Sequence, residues 1–186
     1  MTSDAHTITR RGVLAGAGGA LALTLTPALA RGARVPGVVL YAPRSEPSRR
    51  FAEVLAARGA LAVALTGDLV RQWHDGLRTT VAGNGGELAG ITPWSDYVVA
   101  RGLAAELRRH VRFEARHDLG RNGVSHCLPA RYCAPVQSGA ADRWPERLAQ
   151  VLLEVDRTAP LDPVTTTIGP SANGRGAVSC FSWLIA

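Results

Sequence analysis

Apolar and polar positions alternate with two different periods along this chain, and the switches between them mark its elements. Val38-Val39-Leu40-Tyr41 is a short apolar run entered through Pro36-Gly37 and predicts a buried strand. Ser48 to Arg58 then follows a helical period, with Phe51, Val54 and Leu55 on one face and Gly59 as its stop. Ala60 to Leu65 predicts a second buried strand. Asp68 is placed to cap a helix whose inner face is Leu69, Trp73 and Leu77. The turn Gly83-Asn84-Gly85-Gly86 leads to a third strand, Glu87 to Ile91. Ser95 or Asp96 caps a third helix carrying Val99, Leu103 and Leu107. From His110 to Arg116 the alternation of Val111, Phe113 and Ala115 with Arg112, Glu114 and Arg116 predicts a half-exposed strand near a sheet edge.

The pattern then lapses. Asp118 to Ala141 reads as a long loop with three Gly, two Pro and two Cys. A fourth helix over Asp142 to Asp156 has Trp144, Leu148, Val151, Leu152 and Val155 as its buried stripe. Arg157 to Gly176 reads as irregular. Val178 to Ile185 is apolar on both faces, which places it as a strand inside a sheet. The order predicts one α/β domain over residues 31–186. Its three layers are a mostly parallel five-stranded sheet with helices on both faces, flavodoxin-like or Rossmann-like. A flavodoxin-like order would put the last strand at an edge, which sits badly with its two apolar faces.

Ahead of this domain, a polar segment leads to Arg10-Arg11, then to an apolar stretch from Val13 to Ala30 ending in Ala28-Leu29-Ala30. The order and the arginine pair resemble the signal peptide of the twin-arginine translocation pathway. Its apolar stretch is diluted with Gly and Thr, Pro27 precedes the cleavage site, and Arg31 and Arg34 follow it. The resemblance implies a bacterial protein exported already folded to the periplasm or beyond, with residues 1–30 removed. The translocase would be its partner during export. The competing reading, a membrane anchor, must place Gly and Pro within a stretch close to the minimum spanning length. After cleavage no stable membrane insertion is expected.

Composition narrows the chemistry further. Lys and Arg together number 21, and all are Arg, giving a formal net charge of +6. Without Lys there is no P-loop lysine, no Schiff base, no Ser-x-x-Lys acylation site and no kinase-type lysine. The arginines are scattered, so nucleic acid is not an expected partner. The first strand–helix turn, Ala42-Pro43-Arg44-Ser45-Glu46-Pro47, is not a glycine-rich phosphate loop. No nucleophile elbow or paired-His zinc motif is present, and no cofactor is predicted.

Two places remain where chemistry could sit. Ligands of open α/β sheets bind beyond the carboxyl ends of the strands, and those ends carry Arg44, Ser45, Thr66, Asp68, Thr92, Trp94, Ser95, Asp96, His117 and Asp118. Ser, Thr and Asp are also the ordinary helix caps and would occur there without a ligand. Trp94 alone of the four Trp sits at a strand end, and the other three read as core. The second place is His126-Cys127-Leu128-Pro129-Ala130-Arg131-Tyr132-Cys133. An oxidising compartment favours a Cys127–Cys133 disulfide that leaves Cys180 as a buried free thiol. Alternatives are a bond from Cys180 to either loop cysteine, a zinc or copper site built from His126 and the three Cys, and a catalytic Cys127 activated by His126 or His117. The functional expectations are an accessory or escort subunit for a signal-less enzyme, or a small-ligand-binding protein. A small hydrolase or redox enzyme at the strand-end rim, or a thiol or metal protein, are the alternatives.

Overall fold

A computed structural model describes residues 34–170 and 178–186; the twin-arginine segment lies outside the described residues. The chain builds one seven-stranded mixed sheet of order β2-β1-β3-β7-β4-β5-β6. Its strands are β1 (Val38–Tyr41), β2 (Leu61–Ala64), β3 (Leu88–Thr92), β4 (Val111–Gly120), β5 (Gly123–Leu128), β6 (Thr166–Ile168) and β7 (Val178–Ile185). Only β1–β2 and β1–β3 are parallel; every later pairing is antiparallel. This corrects the expected five-stranded, mostly parallel sheet. The apolar pattern of a strand buried on both faces is the same in either direction, and β7 inserts between β3 and β4 pointing against both.

Helices cover both faces. On one, α1 (Glu46–Ala56) and α6 (Trp144–Glu154) pack over Val39, Ala89, Ile91, Phe113, Ala115 and Leu184. On the other, α2 (Leu69–Gln72), a wide π turn (Trp73–Leu77), α3 (Arg78–Gly83) and α4 (Trp94–Ala105) pack over Val38, Leu40, Leu88, Trp183 and Ile185. The odd–even split of β1 and β3 between the two clusters is the period-2 alternation of a sheet covered on both sides. Gly90 on β3 has no side chain because Trp183 lies against it: a Cβ there would stand 2.7 Å from the indole Cζ2 and 2.9 Å from the Leu40 carbonyl oxygen. The Trp183 Nε1–H donates to Thr92 Oγ1 at 3.0 Å, so the ring keeps its polar atom satisfied while fully buried.

Four sequence expectations for the elements need correction. One is the stretch expected to be irregular, Arg157 to Gly176, which holds β6. β2 is an edge strand with Leu61 and Ala62 exposed, not a buried one. β4, expected near an edge, lies inside the sheet between β7 and β5. The region read as a loop from Asp118 continues β4 to Gly120, turns through Arg121-Asn122 and returns as β5. Gly123 takes up the turn at φ 124°. Asp68 does cap α2, accepting from the Val70 N–H at 2.8 Å. Ser95 and Asp96, by contrast, lie in the first turn of α4 rather than capping it; the N-cap is Pro93.

Candidate functional site

The β4–β5 hairpin brings its two histidines face to face. His117 and His126 are register partners across the ladder, and both project toward the α1/α6 side. Their Nδ1 atoms are 2.7 Å apart. One of them must carry the proton and the other must be bare, so the pair shares one hydrogen bond. On its far side His117 Nε2 is 2.8 Å from Ser182 Oγ on β7. Trp144, at the start of α6, lies over both rings, with centroids 4.5 Å from His117 and 5.1 Å from His126.

The chain Ser182–His117–His126 has two self-consistent arrangements. In one, His117 donates from Nε2 to Ser182, accepts at Nδ1 from His126, and leaves His126 Nε2 bare. In the other, Ser182 donates to His117, His117 donates to His126, and His126 Nε2 carries a proton. Burial holds His117 well below the ordinary imidazole range, with the neighbouring His126 adding to the effect. Burial also lowers His126, to about 4, helped by the nearby Arg147 cation. Both rings are therefore neutral at pH 7.

His126 is only 7% exposed. Its Nε2 has no hydrogen-bond partner among the described residues. The ring borders a cavity of about 280 Å³ between the hairpin turn, α5 (Cys133–Gln137) and α6. Trp144, Val136, Gln137, Asn122, Pro170 and Arg147 also line it. Arg147 is fixed in place: Nε donates to the Val136 carbonyl at 2.8 Å and Nη2 to the Ala140 carbonyl at 2.7 Å. A pinned cation, an aromatic face and a neutral imidazole nitrogen thus meet in one small concavity.

Of the residues expected at the strand ends, only His117 joins this cluster. Arg44 and Ser45 lie in the turn before α1, and the Ser45 side chain makes no cap bond. The tie there is Ser48, whose Oγ accepts from Ala42 N–H and donates to the Ile91 carbonyl at 2.6 Å. Thr66 accepts from Gln72 Nε2, and Asp68 caps α2, so both serve local structure. Thr92 is buried under Trp183. Trp94 is 55% exposed against Tyr97 and Phe181 on the opposite side of the sheet. Beside it Asp96 is raised above the usual carboxylate range by partial burial, offset by a bond from Ser95. Asp118 accepts from Ser179 Oγ at 2.6 Å and pairs with Arg116. The expected rim is thus split between the two faces.

The three cysteines are free thiols, which corrects the expected Cys127–Cys133 disulfide. Alternation along β5 turns Cys127 away from the face that His126 and Leu128 share, whereas Cys133 packs against that face. A disulfide needs its Cβ atoms within about 4.5 Å and pointing together. Among the described residues no group of three or more His, Cys, Asp or Glu is placed to hold a metal ion. Cys180 is buried, and desolvation, with Asp118 nearby, pushes its thiol up to about 12.

Sequence patterning places His126 only with the cysteines, as a metal ligand or as an activator of Cys127, and gives no sign of Ser182 or of the role of Trp144. Asn122-Gly123 was the available signal. An Asn-Gly turn between two alternating runs predicts a hairpin. That pair marks only the neighbourhood of the turn: a loop of Asn122-Gly123 would pair 117 with 128, whereas the loop Arg121-Asn122 pairs 117 with 126. No helix among the described residues is long and apolar enough to cross a membrane. Compared with known proteins, the chain matches no family model, no curated protein and no solved structure.

Proposed function

We propose that this chain is an exported small-ligand-binding domain whose site is the cavity beside His126. One observation carries the reading: the His126 imidazole, whose Nε2 makes no hydrogen bond to the protein, borders a concavity of small-molecule size. A bound molecule that reaches Nε2 gains a hydrogen bond that the protein itself does not supply. Arg147 favours a ligand with an anionic or strongly accepting group, and Trp144 offers a flat apolar surface to its body. The ligand class that fits is a compact organic acid. Export rests on the resemblance of residues 1–30 to a twin-arginine signal.

An alternative enzymatic reading would use Ser182 as nucleophile and His117 as its base, since they are in hydrogen-bond contact. Ser182 is fully buried in the middle of the sheet, so no substrate carbonyl can approach its Oγ. The open end of the chain is His126, which suits recognition.

The test is nuclear magnetic resonance of the histidine side chains during titration with a panel of small mono- and dicarboxylates. Binding is expected to shift the His126 ring nitrogens, and His126→Phe to abolish it. Ring signals unmoved across the panel, with native mass spectrometry of the host-purified protein showing the bare chain, would overturn the reading.

A further inference from the structure

The opposite side of the sheet carries a second feature, independent of the His126 cavity. Helix α4 buries Tyr97, Ala100 and Ala104 inward, as an amphipathic helix should. Its outward face is not polar in the usual way. Trp94 and Val98 are 55% and 45% exposed, and Gly102 and Ala105 continue the row. The spacing of four, four and three follows one ridge of the helix. A helix apolar on both faces has a second surface to cover.

This row is one wall of a groove of about 690 Å³, whose other wall includes Leu161, 39% exposed, and the start of β4. Nothing stands within 4 Å of the space a Cβ at Gly102 would fill, so a neighbouring backbone can approach there. Residues 94 to 105 span about 17 Å, some three helical turns. That is long for a metabolite and suits a short peptide segment.

The charge around the groove is of one sign. Arg101 and Arg109 are its charged lining residues. Neither Arg101 nor Arg109 makes an ion pair among the described residues, whereas Arg50, Arg71, Arg78, Arg116 and Arg131 all do. Arg109 donates to the Gly85 carbonyl but leaves its buried Nε without a partner. Arg101 donates a hydrogen bond to the Tyr97 hydroxyl, so both arginines are positioned yet lack a carboxylate partner; an exposed Trp flanked by such Arg is the composition of an interface anchor.

We infer that the α4 groove is a docking site for an acidic amphipathic helical segment of another protein. Apolar side chains at helical spacing would lie along Trp94, Val98 and Leu161, and carboxylates on the segment's flanks would meet Arg101 and Arg109.

The test is selection of a displayed library of peptides about 15 residues long on the full chain, with counter-selection on Val98→Asp/Arg101→Glu. Both substituted side chains are exposed, and far-ultraviolet circular dichroism checks that the variant keeps the fold. Enriched peptides are expected to carry Asp or Glu beside apolar residues three and four apart. Arg101→Glu alone is expected to weaken them about tenfold, with affinity falling as salt rises. Failure to enrich any peptide that distinguishes the two proteins overturns the inference, as does enrichment of neutral or basic sequences. So does preferential binding of anionic phosphatidylglycerol vesicles, or a wild-type dimer in sedimentation that Val98→Asp dissociates. Those last results would assign the groove to a lipid surface or to a second copy.

Discussion

Acidification from pH 6.5 to 5.5 is expected to cost this fold about 2 kcal/mol through two side chains. In the unfolded chain each histidine takes up a proton near pH 6.5. In the folded chain His117 and His126 are held neutral, His117 far below that value and His126 down to about 4, because both rings are desolvated. Below pH 6.5 the unfolded state therefore binds more protons, and stability falls as pH falls. Over that first unit each histidine contributes about 1 kcal/mol, and the limiting slope approaches about 1.4 kcal/mol per unit for each. The loss attributable to His126 levels off near pH 4, where the native ring itself takes the proton. Against a typical stability of 5–15 kcal/mol, a fall to pH 4.5 removes about 4–5 kcal/mol through the pair. Urea denaturation of the wild type and of His117→Phe/His126→Leu at pH 7.5, 6.5, 5.5 and 4.5 measures the effect. The relevant quantity is the difference in slope against pH, since the double variant has its own packing cost at every pH. Parallel slopes would refute the reasoning, because they would mean that the rings are protonated inside the fold or are not buried.

Other expectations follow from particular contacts. Gly90→Ala forces a methyl group against the Trp183 ring and the Leu40 carbonyl; the urea midpoint should drop by an equivalent of about 1–3 kcal/mol with an unchanged slope. Asp68→Ala removes the Val70 cap and should cost about 1 kcal/mol by the same assay. A thiol reagent should modify Cys127 and Cys133 in the native protein and Cys180 only in denaturant, three in all without reductant; one reactive thiol would restore the disulfide. Glu146→Ala breaks a two-point hold on Arg50 that joins α1 to α6; both groups are part-buried, and a loss of about 1–2 kcal/mol is expected in thermal unfolding.

Helices were the most legible part of the sequence, because the 3.6-residue period is set by one face and survives any arrangement of neighbours. The stripe of Leu148, Val151 and Leu152 and the cap at Asp68 needed no tertiary knowledge. Strand placement was less legible. Ala60 to Leu65 is apolar enough for an interior strand, yet β2 closes one edge of the sheet with Leu61 44% exposed. Val178 to Ile185 was placed inside the sheet correctly, but its direction leaves no trace in hydropathy. The site was hidden for a related reason. His117 was grouped with strand ends, while His126 and Ser182 stood in segments read as a cysteine loop and a core strand. Only cross-strand register joins them, and that register requires the turn to be centred on Arg121-Asn122, one residue ahead of where the Asn122-Gly123 pair would put it. The strand-end residues that proved local, Thr66 and Asp68 among them, show why capping chemistry is a poor guide to ligands.

The placement of β7 has a kinetic consequence. It is the seam between a three-stranded parallel half and a three-stranded antiparallel half, and the Trp183–Thr92 bond alone closes a span of 91 residues. Contacts so distant along the chain make folding slow, since loop closure must precede any reward. Until β7 docks, β3 and β4 each present an open edge, the form in which strands pair with the wrong chain. The molecule's vulnerable interval is therefore the time before that last strand zips in, and its demand for assistance should be decided by β7 more than by any other element.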